Sequence, residues 1–161
     1  MKNTGVKMGA TAKQRTKRFS ASHASASKFV KRGLRSYFEY RDLGIARATR
    51  GKVVTHVIRA RPGKAPRGEW HWHDCDVQFV YVLKGWARFE YEGIGEVLMK
   101  PGTCFYQPPR IRHRELAHSK DLQMIEVVSP ARFKTYSVDI VPADAAQLKR
   151  IVKLVAGVKA G

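Results

Sequence analysis

Cysteine is scarce in this chain: Cys75 and Cys104 are the only two. Two thiols cannot build a disulfide framework, so a reducing, cytoplasmic setting is expected. No apolar run approaches the length that crosses a bilayer, which excludes a membrane-spanning helix. The basic N-terminus has no apolar stretch behind it and so does not read as a secretory signal. Acids are absent from residues 1–35, where ten Lys and Arg stand. Between residues 37 and 130 there is no sustained helical period.

What is present is strongly basic and uneven. The formal net charge is +18 over 161 residues, and most of it lies at the two ends. Residues 1–28 are rich in Ser, Ala, Thr and like charge, and are expected to form a disordered tail. A solubilising role, weak adhesion to a polyanion and an organelle transit peptide all fit that composition. The tail carries no Trp or Tyr on which a base could stack, which argues against sequence-specific nucleic-acid recognition. Residues 29–142 are read as one β-domain, with its organised part starting near Tyr37. Short apolar runs separated by turn residues predict strands over Val53–Ala60, Glu69–Cys75, Val77–Leu83, Trp86–Glu92, Glu96–Met99, Thr103–Gln107, Ile111–Ala117 and Leu122–Val128. Such even spacing suits an antiparallel sandwich or barrel. Within 143–161, Ala145, Leu148, Ile151, Val152 and Val155 share a helical face. A short C-terminal helix, Asp144–Ala156, is expected there, followed by a basic end.

The residues with chemistry to offer gather in two places. In Trp70-His71-Trp72-His73 the two histidines lie two apart, so a strand aims both imidazoles to one side. His113 follows Gln107-Pro108-Pro109 much later. A third imidazole from a neighbouring strand would complete a set suited to Fe, Mn, Co, Ni, Cu or Zn. Cys75 shares parity with the two histidines, and either faces the same point or is a buried, inert thiol. Cys104 and Tyr106 share parity with each other, and one of them is a candidate lining residue. Glu115 shares parity with His113 and is read as inward-facing or as a surface ion-pair member. Glu126, in the apolar run Met124–Val128, must be paired or functional if it points inward.

The combined spacing resembles the cupin superfamily. His71 and His73 are followed after four residues by Gln78 and after six more by Gly85; Gly102 is followed after five by Pro108, and then by His113. The resemblance covers residues 37–130 and departs from the family at four points. Gln78 replaces the usual Glu, Arg110 a usual Gly and Ala117 a usual Asn, and Ala65 stands where the leading Gly is expected. The resemblance implies an all-β jelly-roll barrel holding one divalent metal through His71, His73, His113 and Gln78, usually in a homodimer. Gln78 would bind through its neutral carbonyl oxygen or orient a ligand or bound water from behind. A centre without the Glu keeps its full positive charge and favours an anionic partner. A non-haem dioxygenase acting on a small molecule is the first functional expectation, with Tyr106 or Glu126 moving protons. Isomerase and decarboxylase chemistry also occur on this fold. A non-catalytic ligand-binding or sensor module is the alternative.

Overall fold

The computed structural model describes residues 19–138. Most of the expected disordered tail and the whole of the expected helix Asp144–Ala156 lie outside them. Ten strands and one single-turn helix follow in order: β1 (Phe38–Asp42), α1 (Ile45–Ala48), β2 (Val54–Ala60), β3 (His71–Asp74), β4 (Val77–Lys84), β5 (Ala87–Tyr91), β6 (Gly95–Met99), β7 (Cys104–Gln107), β8 (His113–His118), β9 (Gln123–Ser129) and β10 (Lys134–Ser137). They form two five-stranded sheets, ordered β1-β2-β9-β4-β7 and β10-β3-β8-β5-β6, with every pairing antiparallel. This is the jelly-roll arrangement expected from the sequence. The two sheets meet through side chains rather than through a continuous ladder of backbone hydrogen bonds.

Strand alternation decides what lies between the sheets. On β9 the pattern is strict: Met124, Glu126 and Val128 are buried, and the residues between them are not. Gln78, Val80 and Val82 of β4 and Ala87, Phe89 and Tyr91 of β5 point inward in the same way. One end of the interior is packed with Tyr37, Phe38, Ile58, Val82, Met99, Leu122 and their neighbours. The other end closes on a smaller cluster of Val54, Cys75 and Val128. The polar residues sit between the two.

All eight expected strands are present, with ends shifted by a residue or two. β1 and β10 add to the expected set, because neither shows in sequence the alternation that marks a half-buried strand. In β1 the polar residue of the pattern is itself buried: Glu39 is 8% exposed and pairs with Arg59 of β2 at 2.7 Å. β10 reads Lys-Thr-Tyr-Ser and lies at a sheet edge with most of its surface in water.

The two spaced-motif positions have clear backbone reasons. Gly85 has φ +69°, and a Cβ there would come within 2.8 Å of the Leu122 backbone. Arg110, standing where Gly is usual, also adopts a left-handed φ of 64°. Its guanidinium reaches the Asp74 carboxylate at 3.3 Å.

Candidate metal centre

His71 and His73 leave β3 on its inner face, and His113 opens β8 directly opposite His71 in register. All three are buried. Their ring centroids stand 4.2 Å apart for His71–His113, 5.0 Å for His71–His73 and 5.2 Å for His73–His113. One ligand atom from each lies within 4.8 Å of the other two.

Hydrogen bonds set which ring nitrogen is free. His71 Nδ1 lies 3.0 Å from the Glu69 carbonyl oxygen, and His113 Nδ1 lies 2.9 Å from that of Ile111. A carbonyl only accepts, so both rings carry their proton on Nδ1 and present a bare Nε2. His73 Nδ1 meets the Thr135 hydroxyl at 2.9 Å, a partner supplied by β10. Burial pushes the histidines well below their ordinary range, His71 to about 2 and His73 and His113 to about 4. Their mutual proximity pushes His71 and His73 the same way. Near neutral pH the cluster is therefore three uncharged imidazoles with converging lone pairs. That donor set fits a divalent transition metal and needs no prior loss of protons.

Gln78 is buried at 3% exposure and lines the same interior space. Its side-chain N–H donates to Glu126 Oε1 at 3.0 Å, tying β4 to β9. Glu126 is inward and buried, and its other oxygen stands 3.9 Å from His56 Nδ1. Glu115 is also inward, ending on His118 Nδ1 at 2.8 Å, so it is no surface ion-pair member. Burial raises its carboxyl above the usual range, and the bond from His118 pulls the other way.

Tyr106 is a correction. It is 58% exposed and faces away from the interior, because Phe105 and Gln107 take the inward positions on β7. It cannot move a proton at this centre from there. Cys104 shares its outward face. Cys75 packs with Val54 and Val128 rather than joining the histidines, and burial raises its thiol. Trp70 and Trp72 alternate away from the histidines as expected. Trp72 stacks on Tyr136 at 4.3 Å, and the Arg114 guanidinium lies 5.0 Å from the Trp70 ring.

A cavity of about 50 Å³ opens beside His71 and His113. Its polar wall is Gln78, Gln107, Glu115 and Glu126, and its apolar wall includes Tyr37, Ile58, Phe89 and Met124. Three residues with contacts here carried no usable sequence signal. Thr135 sits in an unpatterned edge strand, His56 is a lone histidine, and Arg35 lies at the end of the basic N-terminal run.

The family profile described as "Cupin domain" matches residues 57–128, the stretch from β2 to β9 that supplies the histidines. Over that stretch the barrel matches the cupin domain family. Solved cupin structures overlay on it at low identity. The polyketide cyclase RemF from Streptomyces resistomycificus is 16% identical, with a TM-score of 0.63 over 85% of this chain and 99% of that one. The nucleoside dehydratase Pac13 from Streptomyces is 12% identical, with a TM-score of 0.53 over 77% of this chain and 93% of that one. HppE in its FeII form is 16% identical, with a TM-score of 0.51 over 67% and 59% of the two chains. At such identities these likenesses speak for the cupin fold alone. No curated protein sequence matches the chain.

Proposed function

We propose that this cupin holds one divalent metal ion on Nε2 of His71, His73 and His113 and acts as an enzyme on a small molecule, with an oxygen-dependent, dioxygenase-like reaction as the first choice. The observation that carries this is the convergence of three neutral imidazoles whose outer nitrogens are already engaged. A bound ion would supply Lewis-acid polarisation or redox chemistry. The three imidazoles would hold such an ion and would leave room at it for a substrate, as in open catalytic sites.

The chain's own groups have distinct tasks. The carbonyls of Glu69 and Ile111 and the hydroxyl of Thr135 hold the rings in position. Gln78 restrains Glu126, a buried carboxylate that can accept a proton from a substrate in the cavity. The aromatic and aliphatic wall makes much of the cavity lining apolar. An engineered cavity of ~150 Å³ accommodates benzene, so a space of about 50 Å³ admits only one end of a substrate. A wider hollow of about 360 Å³ shares Leu34, Tyr40 and Glu126 with it and gives such a molecule a way in.

A second reading, metal-assisted elimination or cyclisation without oxygen, is favoured by Glu126, since such steps need a base beside the ion. The cyclase and the dehydratase among the similar structures agree with it. Metal analysis of the purified protein, then oxygen uptake by the iron-loaded form against a panel of small acids, tests the first choice. Uptake that depends on both iron and a panel member supports it. Metal-dependent turnover without uptake favours the second. Metal and ligand binding without turnover points to a sensor module.

A further inference from the structure

Arg35 belongs to a turn that the fold holds against the mouth of the barrel. Its backbone N–H donates to the Tyr40 hydroxyl at 3.1 Å, and its carbonyl accepts from Phe38 N–H at 3.2 Å. Val30 bridges Tyr40 just before the turn. Gly33 lies so close on the Tyr40 ring that any Cβ would strike it. The turn is therefore seated on the barrel rather than hanging from it.

Arg35 lines the cavity beside His71 and His113. Arg35 Nη2 is buried and has no hydrogen-bond partner among the described residues. The two carboxylates lining the same space are engaged elsewhere: Glu115 with His118 Nδ1 at 2.8 Å, and Glu126 with Gln78 Nε2 at 3.0 Å. Arg35 takes part in none of the described ion pairs. A buried guanidinium N–H without an acceptor is costly, and an oxyanion from outside would remove that cost. A planar fork of donors matches the two oxygens of a carboxylate.

We infer that Arg35 anchors the substrate, and that the substrate is a small carboxylate whose charged end pairs with this guanidinium while its remainder reaches the three imidazoles. The inference rests on the metalloenzyme reading for the role of the imidazoles, but the anion site itself does not need the metal. Arg32 and Arg132, which line the wider hollow outside, add positive charge along the approach.

Isothermal titration of the full chain with sodium propionate, and with propionamide as the neutral analogue, tests this. Each titration is run on metal-free and on cobalt-loaded protein. Propionate should bind saturably in both states and propionamide should not. Arg35→Gln should weaken propionate roughly 10–100-fold in both states, the loss of one charge-assisted contact. Its cobalt stoichiometry and visible spectrum should be unchanged. Arg35→Lys should recover part of the affinity, since it keeps the charge but not the fork. Wild-type propionate affinity in Arg35→Gln, equal binding of propionamide, or no propionate binding by the unsubstituted protein would each overturn the assignment. If the unsubstituted protein takes up no cobalt, the metal reading falls, while the metal-free titrations still decide Arg35.

Discussion

At the scale of single residues, the centre depends on atoms one step behind the imidazoles. Thr135 fixes the His73 ring, yet it belongs to an edge strand that otherwise contributes little to the core. Replacing Thr135 with Val keeps the shape and removes the oxygen. Metal affinity should fall roughly 10–100-fold, as it does for other partners behind a ligand. A chelator competition that gives wild-type affinity for Thr135→Val would show that His73 is held by packing alone. Gln78 is a different case. On spacing alone, Gln78→Glu would be expected to tighten metal binding by adding charge. The structure adds a separate cost for the metal-free fold, because Gln78 donates to Glu126. A carboxylate at position 78 would lose that bond and face a second carboxylate. Gln78→Glu should therefore cost about 1–3 kcal/mol of metal-free stability near neutral pH. Protonating either carboxylate relieves the repulsion, so the deficit should shrink as pH falls. A denaturant series at several pH values checks this, and a deficit that does not change with pH would count against the contact.

At the scale of elements, local pattern and long-range pairing contribute separately. Trp70–His73 reveals its two-residue alternation without help from the rest of the chain, and it becomes β3 with both histidines inward. Glu126 shows the same logic on β9. Tyr106 shows where it stops: parity says that it alternates with Phe105 and Gln107, but not which set faces in. That choice belongs to the pairing of β7 with β4, where Gln107 lies opposite the inward Gln78. The N-terminal segment is divided in a similar way. Within the described residues, 19–28 are mostly exposed, whereas Phe29 lies under the Arg59 guanidinium at 4.0 Å and Val30 pairs with Tyr40. A chain beginning at Phe29 should therefore melt within about 2 °C of the full chain, as expected when few buried contacts are removed. One beginning at Tyr37 should lose several degrees and, with Arg35 gone, its propionate affinity. Equal melting temperatures for all three would show that the turn adds nothing to the fold.

At the scale of the whole molecule, the histidines join strands that are remote in sequence, so metal binding and folding should be linked. Ligand in ~100-fold excess over its Kd stabilises a native state by about 2.7 kcal/mol. For a domain of this size that is a rise in Tm of roughly 5–15 °C. Zinc or cobalt should produce such a rise in the unsubstituted protein, EDTA should remove it, and His73→Ala or His113→Ala should abolish it. Calorimetry with and without EDTA checks this; an undiminished metal response in both variants would refute the shared site.

The amino-acid sequence by itself determined the β-rich cupin domain, the inward parity of His71 and His73, and the spacing that adds His113. These follow from strand alternation and motif distance, both of which are properties of the linear chain. Only the tertiary structure decided that Tyr106 faces solvent, that Gln78 is tied to Glu126, that Thr135 supports His73, and that Arg35 lines the cavity. Each of those depends on which distant segment lies opposite, and a separation such as the 62 positions between His73 and Thr135 has no local period to announce it. Arg35 is the clearest instance: within a run of bases it looks like one more solvated charge, and only the seating of its turn on Tyr40 puts it in the wall of the cavity.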